Sequence, residues 1–166
     1  MKNIHTAVLL ISIACFVAAC SKESPATGNT GTATNFGSYS FDSLSHTVRS
    51  AVQFGQALSV QDYSGSMVPS NNSSVVFYFA TFPTHSGTYH IVPGNSTPSV
   101  AGGLSIVYGS SALGSNYQTG ASSMGTATVT IDSQGKVNIL IADPVTLVSQ
   151  DNAADSGFFT ANVRQQ

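Results

Sequence analysis

Alternating apolar and polar side chains predict β-strands along most of this chain. In the clearest case, Thr126 to Ile131, three apolar residues alternate with three threonines. A second alternating run, Lys136 to Ile141, follows after Asp132-Ser133-Gln134-Gly135. An aspartate at the start of a connection and a glycine at its end suit a type I turn whose glycine is left-handed. The two runs therefore predict a β-hairpin.

The run from Val75 to Phe82 is apolar on both faces and predicts a central strand between two packed layers, ended by Pro83. Further strand candidates recur about every ten residues, separated by Gly, Asn, Pro and Ser, as in sandwiches and barrels. They are Phe36 to Phe41, Val48 to Phe54, Leu58 to Tyr63, Thr88 to Val92, Leu104 to Tyr108, Val145 to Val148 and Phe158 to Val163. We expect an all-β fold, an antiparallel β-sandwich or flattened barrel of about 8–10 strands.

The beginning of the chain has a different pattern. Lys2 and an apolar run from Ala7 to Ala19 have the layout of a secretory signal. At about thirteen residues this run is too short to cross a bilayer, which takes roughly twenty. The stretch after it is rich in Ser, Thr, Gly and Ala, and as flexible coil it would span about 21 Å. We expect a signal at 1–19, a tether at 20–35 and one all-β domain at 36–166.

The apolar run ends in Val17-Ala18-Ala19-Cys20, which resembles the lipobox of bacterial lipoproteins. In that family the signal is cut before the cysteine, whose thiol carries diacylglycerol and whose new amino group is usually acylated. The resemblance implies that Cys20 is the lipidated first residue of the mature chain. Two or three acyl chains give lasting attachment to a membrane, whereas one gives marginal affinity. The alternative is an ordinary signal cut after an Ala-x-Ala pattern.

The residues after Cys20 indicate the membrane to which such a lipoprotein would be delivered. Serine at position 21, rather than aspartate, is similar to lipoproteins that are passed on to the outer membrane. Cys20-Ser21-Lys22-Glu23 is similar to the surface-export signal of some lipoproteins of the Bacteroidota, although Ser24 replaces a second acid. The mature chain as a whole resembles small uncharacterised all-β lipoproteins of that phylum. We expect an outer-membrane lipoprotein, at the periplasmic face or the cell surface.

Composition excludes some partners and disulfides. Charged residues make up 7% of the chain, the net charge is −2, and the few basic residues are scattered, so we expect no nucleic-acid partner. Cys15 and Cys20 both precede the expected domain, which leaves it without an internal disulfide. An apolar content of 42% argues for a folded domain rather than a disordered one.

Materials for catalysis are sparse. A hydrolase triad would need His46, His85 or His90 in a cleft beside a second polar group, and no serine lies in a Gly-x-Ser-x-Gly motif. Aspartates mostly flank the strands, where they favour turns; they are Asp42, Asp62, Asp132, Asp143, Asp151 and Asp155. We expect no catalytic residues and no cofactor.

Two patterns in the sequence are weak indications of a metal-binding site. His85 and His90 are five positions apart, but two imidazoles without a third ligand make a poor zinc site, and alternation predicts that His90 is exposed. The loop from Asp151 to Gly157 has oxygen ligands without EF-hand spacing. We predict no metal site.

Ligand binding and modification leave three further candidates. The chain has no tryptophan, and Tyr63, Tyr108 and Tyr117 are the tyrosines nearest to loops that could stack on a sugar, with a role in the core or its rim as the alternative. Asp42-Ser43-Leu44 matches the O-glycosylation pattern of the Bacteroidota, which would place a glycan on Ser43.

The sequence therefore predicts a membrane-anchored domain that binds an envelope protein or a glycan without catalysis. One alternative is a structural or accessory subunit of an outer-membrane complex. Another is a barrel that carries a small hydrophobic ligand, which would require a lined cavity instead of a filled core.

Overall fold

A computed structural model describes residues 35–63 and 72–166, and their regular structure consists of 11 strands. The prediction of an all-β fold is confirmed. Ala33–Gln166 forms one compact unit. In the described ranges, no helix is long and apolar enough to cross a membrane. The strands are β1 Gly37–Phe41, β2 Leu44–Thr47, β3 Ser50–Phe54, β4 Ala57–Gln61, β5 Ser73–Phe79, β6 Gly87–Ile91, β7 Gly103–Ser110, β8 Ser115–Thr119, β9 Thr126–Ile131, β10 Val137–Ser149 and β11 Ser156–Arg164.

The strands form two facing layers within one continuous sheet. One layer has the order β2-β1-β11-β10-β9 and the other β3-β4-β5-β7. Along one side, β6 pairs with β9 and β7, and β8 pairs with β7 and β10. Along the other side, a single chain segment passes between the layers, since β2 pairs with β1 and β3 pairs with β4. The sheet is thus partly closed, as expected for a sandwich or flattened barrel.

Aromatic side chains from both layers meet in the core. The ring centroids of Phe77 on β5 and Phe159 on β11 are 6.2 Å apart, and those of Tyr39 on β1 and Tyr108 on β7 are 6.3 Å apart. Phe77, Phe159 and Tyr108 are completely buried. Burial of a large apolar side chain contributes about 1.5–3 kcal/mol. These contacts across the layers hold the two halves of the sheet together.

The predicted hairpin is present as β9 and β10. Val137 pairs with Ile131, and the carboxylate oxygen Oδ1 of Asp132 accepts hydrogen bonds from the backbone N–H groups of Gln134 (2.8 Å) and Lys136 (2.9 Å). Gly135 has a φ of 77°, the left-handed conformation that the turn requires. Both the aspartate and the glycine therefore have the roles that the sequence predicts.

β5 is central, between β4 and β7, but the prediction that both its faces are covered is wrong. Val75, Phe77 and Phe79 are completely buried, whereas Val76 and Tyr78 on the other face are only partly buried. The outer face of β5 therefore adds apolar side chains to the surface of the domain.

Two strands were not predicted, and two predicted segments form one strand. β2 and β8 carry mostly polar side chains, so their pattern does not stand out from the loops. Val145 to Val148 is the second half of β10, which continues beyond an irregularity between Ile141 and Val145. Pro144 lies in this irregularity, which is where a strand tolerates a proline.

Antiparallel pairing places the connections at two opposite ends of the barrel. The entry end contains Asn35, where the described chain begins, the β3–β4 turn, the β9–β10 turn and the end of β11. The far end contains the β1–β2 turn, the end of β4, the β7–β8 turn and the β10–β11 connection.

Gly157 allows β11 to pass close to the β1–β2 turn, and we expect Gly157→Ala to destabilise the domain. An added Cβ would lie 2.8 Å from Phe41 Cε1 and 2.6 Å from Asp42 Oδ2. Overpacking of this kind costs about 1–3 kcal/mol, measurable by urea unfolding. Gly87→Ala is the control, because nothing lies within 4 Å of its Cβ, and it should change stability by less than about 0.5 kcal/mol. Equal stability of the two variants would contradict the close packing at Gly157.

Candidate functional site

A histidine, an aspartate and a serine meet between the two layers. His46 lies on β2, Asp62 follows β4, and Ser73 begins β5. The distance from His46 Nδ1 to Asp62 Oδ2 is 2.9 Å, and Ser73 Oγ lies 2.8 Å from each of these two atoms. These are the residue types of the catalytic triad of serine hydrolases.

Two tyrosines complete this cluster. The Tyr39 hydroxyl lies 2.6 Å from Ser73 Oγ, and the Tyr39 ring stacks on His46 with centroids 5.0 Å apart. The Tyr108 hydroxyl lies 3.4 Å from His46 Nε2. Burial raises the pKa of both tyrosines above the ordinary value, and the Asp62 carboxylate adds to the increase. Both hydroxyls therefore remain neutral at ordinary pH.

The cluster does not have the geometry of a hydrolase triad. In a triad the aspartate and the serine contact opposite nitrogens of the histidine ring, so that a proton passes from one side to the other. Here Asp62 and Ser73 both lie against Nδ1 of His46, and Ser73 is only 1% exposed, which leaves no approach for a substrate. Asp62 Oδ1 also accepts the Ser73 backbone N–H at 2.9 Å. The arrangement satisfies buried polar groups and joins strands of both layers.

The other histidines lie apart from this cluster. His85 and His90 are both exposed, His90 as the alternation in β6 predicts, and His85 Nδ1 is 3.0 Å from Thr84 Oγ1. Over residues 35–63 and 72–166, no three His, Cys, Asp or Glu side chains lie close enough together to hold a metal ion.

A groove opens at the far end, where three connections meet. We call it the far-end groove; its volume is about 360 Å³. The rings of Phe41 and Tyr117 form its floor, with centroids 4.5 Å apart, while Leu44 and Leu113 are partly exposed on its walls. Its lining residues are Phe41, Asp42, Ser43, Leu44, Leu113, Tyr117 and Asp155.

Two carboxylates border this groove, and each is oriented by one of its oxygens. Asp42 Oδ1 accepts the backbone N–H of Phe158 at 2.7 Å, and Asp155 Oδ2 accepts the Tyr117 hydroxyl at 2.8 Å. The hydrogen bond to Asp155, together with burial, raises the pKa of Tyr117 to about 12. Tyr117 therefore remains a donor, and the second oxygen of each carboxylate makes no hydrogen bond to the described residues.

Apolar walls and hydrogen-bond acceptors at the rim are suited to a ligand with an apolar face and hydroxyl or amine donors. The floor rings add little exposed surface, because Phe41 is 2% and Tyr117 6% exposed. Two oriented carboxylates favour donors over acceptors. The groove therefore offers binding chemistry.

The structure brings together two of the residues that the sequence singled out. Ser43 is exposed in the two-residue turn between β1 and β2, and Tyr117 lies in the same groove. Tyr108, in contrast, is completely buried and its ring stacks on Phe41 at 4.7 Å, so it has a core role and cannot stack on a sugar. Tyr63 is partly buried next to the end of β4. Cys20 lies outside the described residues.

Sequence reasoning did not find the other groove residues. Asp155 was assigned to turn capping, and the groove walls Leu44 and Leu113 lie on or next to strands that were not predicted. The signal that could have found them is their position in connections at one end of the barrel. That position depends on strand order, which alternation alone does not give.

Comparison of the chain with protein-family models, with curated proteins and with solved structures found no match.

Asp62 is the acceptor on which the polar cluster depends, and we expect Asp62→Asn to destabilise the domain. The amide would place N–H groups or a weaker acceptor against His46 and Ser73, leaving buried donors without partners, at a cost of about 1–3 kcal/mol. Asp143→Asn is the matched control, because Asp143 is exposed in β10, and it should change stability by less than about 0.5 kcal/mol. Urea unfolding followed by circular dichroism measures both; equal midpoints would contradict a structural role for the cluster.

Proposed function

We propose that this chain is an envelope lipoprotein, anchored by lipid on Cys20, whose β domain binds a ligand without catalysis. The observation that carries the proposal is the motif Val17-Ala18-Ala19-Cys20 at the end of a short apolar run. Ser21 after the cysteine supports delivery to the outer membrane, at its periplasmic face or at the cell surface.

The spacing between the proposed anchor and the domain is compatible with this function. Fourteen residues lie between Cys20 and Asn35, the first described residue, and fully extended they reach at most about 50 Å. A domain attached in this way lies within reach of the headgroups without having to enter the bilayer.

The far-end groove supports ligand binding, and an envelope glycan is the ligand class that we propose. Sugars present an apolar ring face and several hydroxyl donors, which match the partly exposed walls Leu44 and Leu113 and the carboxylates of Asp42 and Asp155. Among the described histidines, His46 is the one with buried polar partners, and it lies in the internal cluster and not in the groove. This separation favours binding over catalysis.

The two alternatives have less support. A barrel that carries a hydrophobic ligand needs a lined cavity, but Phe77, Phe79 and Ile139 are completely buried, and Phe79 contacts the ring of Phe82 with centroids 5.6 Å apart. An accessory subunit of an outer-membrane complex would have a stoichiometric protein partner, which crosslinking of intact membranes would recover.

Lipid attachment is tested by labelling cells with a clickable palmitate analogue. We expect the wild-type chain to be labelled and Cys20→Ala to lose the label completely, because the acyl chains are attached through that residue. Cys15→Ala is the matched control, since Cys15 precedes the proposed cleavage site, and it should be labelled like the wild type. Labelling that persists in Cys20→Ala, or an unlabelled wild type, would contradict the proposal.

Ligand binding is tested with the full chain and a panel of soluble oligosaccharides by calorimetry. For any oligosaccharide that binds, Asp155→Asn should weaken binding about tenfold, or about 1.4 kcal/mol, because a sugar hydroxyl loses a charged acceptor. Leu113→Ser should weaken it through the loss of an apolar wall. Leu140→Ser is the control, because Leu140 is exposed to a similar degree, 43% against 39% for Leu113, outside the groove.

Failure of every oligosaccharide to bind, or binding that groove and control variants affect equally, would contradict the glycan proposal. Lipid labelling is independent of this result, so anchoring and binding can succeed or fail separately.

A further inference from the structure

The outer face of β3, β4 and β5 exposes apolar side chains at the entry end. Phe54, the last residue of β3, is 82% exposed, and Val52 is 51% exposed. The pairing of Phe54 with Ala57, and of Ala57 with Tyr78, places these side chains on one face. We call this surface the entry-end patch; it forms a groove of about 400 Å³ lined by Val52, Gln53, Phe54, Ala57, Ser59, Val76 and Tyr78.

The entry-end patch contains no charged residue. On the outer face of the other layer, the exposed positions of β9 are threonines, and Ser40 on β1 faces Thr160 on β11 with their hydroxyl oxygens 2.7 Å apart. Two apolar side chains, Leu140 and Phe158, are exposed on that face, but they are separated along the strands, because Leu140 pairs with Asn162 and Phe158 with Thr146. Monomeric proteins seldom expose a continuous apolar patch without an interaction to cover it.

The point at which the chain enters the domain determines what lies closest to this patch. The Phe36 backbone N–H donates to the Val48 carbonyl at 3.1 Å, and β3 then continues antiparallel to β1, toward the side from which the chain enters. From Val48 to Phe54 the segment advances about 20 Å. The tip of the β3–β4 hairpin therefore projects beyond Asn35 at the entry end of the domain.

The length of the connecting segment keeps the domain close to the proposed anchor. Fourteen residues lie between Cys20 and Asn35, and even fully extended they reach at most about 50 Å. A domain held this close to a bilayer meets it often, and the entry-end patch is an apolar surface at the end where the described chain begins.

Charge distribution favours the same orientation. Asp42, Asp151 and Asp155 lie at the far end, whereas Asp132, Lys136 and Arg164 lie at the entry end. Anionic headgroups repel carboxylates and attract basic side chains. The acidic end is therefore favoured away from the lipid.

We propose that the domain rests on the membrane through the entry-end patch, with Val52 and Phe54 inserted among the headgroups. This inference rests on the proposed anchoring through Cys20. It also directs the far-end groove away from the bilayer, where a ligand reaches it. The ligand of the patch is a phospholipid surface; a second copy of this chain is an outcome of the test below.

The absence of tryptophan from the chain provides a direct test. Phe54→Trp places one indole at the hairpin tip, and Phe158→Trp places one at a position that is 62% exposed on β11, toward the far end. Each lipidated full-length variant is reconstituted in vesicles of phosphatidylethanolamine and phosphatidylglycerol, with and without brominated phosphatidylcholine. Bromine quenches only an indole that enters the lipid.

We expect the fluorescence of Phe54→Trp to shift to the blue in vesicles and to fall about twofold with brominated lipid, since an apolar face enters the headgroup boundary. Phe158→Trp should show neither effect. Val52→Trp should behave like Phe54→Trp. Because it reports on the same patch from a second position, a folding defect in one variant would not decide the result.

Three results would overturn the proposal. Equal quenching of the Phe54→Trp and Phe158→Trp variants would mean that the domain has no fixed orientation. No quenching at position 54 or 52 would mean that the patch stays out of the lipid, and a blue shift without quenching would assign it to contact with a second copy of this chain. Co-flotation with the vesicles reports anchoring separately; a chain that does not float overturns both proposals, whereas one that floats unquenched overturns only this one.

Discussion

The segment from β2 to β3 crosses from one layer to the other along one side of the sheet, and the rest of the domain depends on this connection. Residues on β2 pair with β1, residues on β3 pair with β4, and Val48 between them is completely buried. This passage closes one side of the barrel. It also brings His46 against Asp62 and Ser73, so the closure and the buried polar cluster stabilise each other.

Alternation was sufficient to predict the strands whose two faces differ. The β9–β10 hairpin follows from its threonines and from the turn residues Asp132 and Gly135, because local geometry alone determines it. Strand order was not predictable, since it depends on contacts between residues far apart in the chain, such as Phe77 with Phe159. The far-end groove could not be predicted for the same reason, although Tyr117 and Ser43 were singled out separately.

The prediction that both faces of β5 are covered was wrong for a physical reason. Val76 and Tyr78 are apolar as core residues are, yet they face outward. An apolar residue in the sequence indicates a side chain that is favoured out of water. It does not show whether that side chain packs in the core of its own domain or against another surface. Together with Val52 and Phe54, these residues form one apolar patch, while on the opposite outer face hydroxyl groups surround the separate apolar residues Leu140 and Phe158.

Pairing of β1 with its neighbours has a mechanical consequence for an anchored protein. β1 pairs with β11 at five successive positions, from Gly37 with Val163 to Phe41 with Phe159, and its other edge pairs with β2. Tension between a membrane anchor and a ligand at the far end would act along β1, so that the hydrogen bonds on both edges are loaded in shear and resist together. Strands pulled in this direction cannot unzip one bond at a time, so β1 is placed to bear load between the proposed anchor and a ligand bound at the far end.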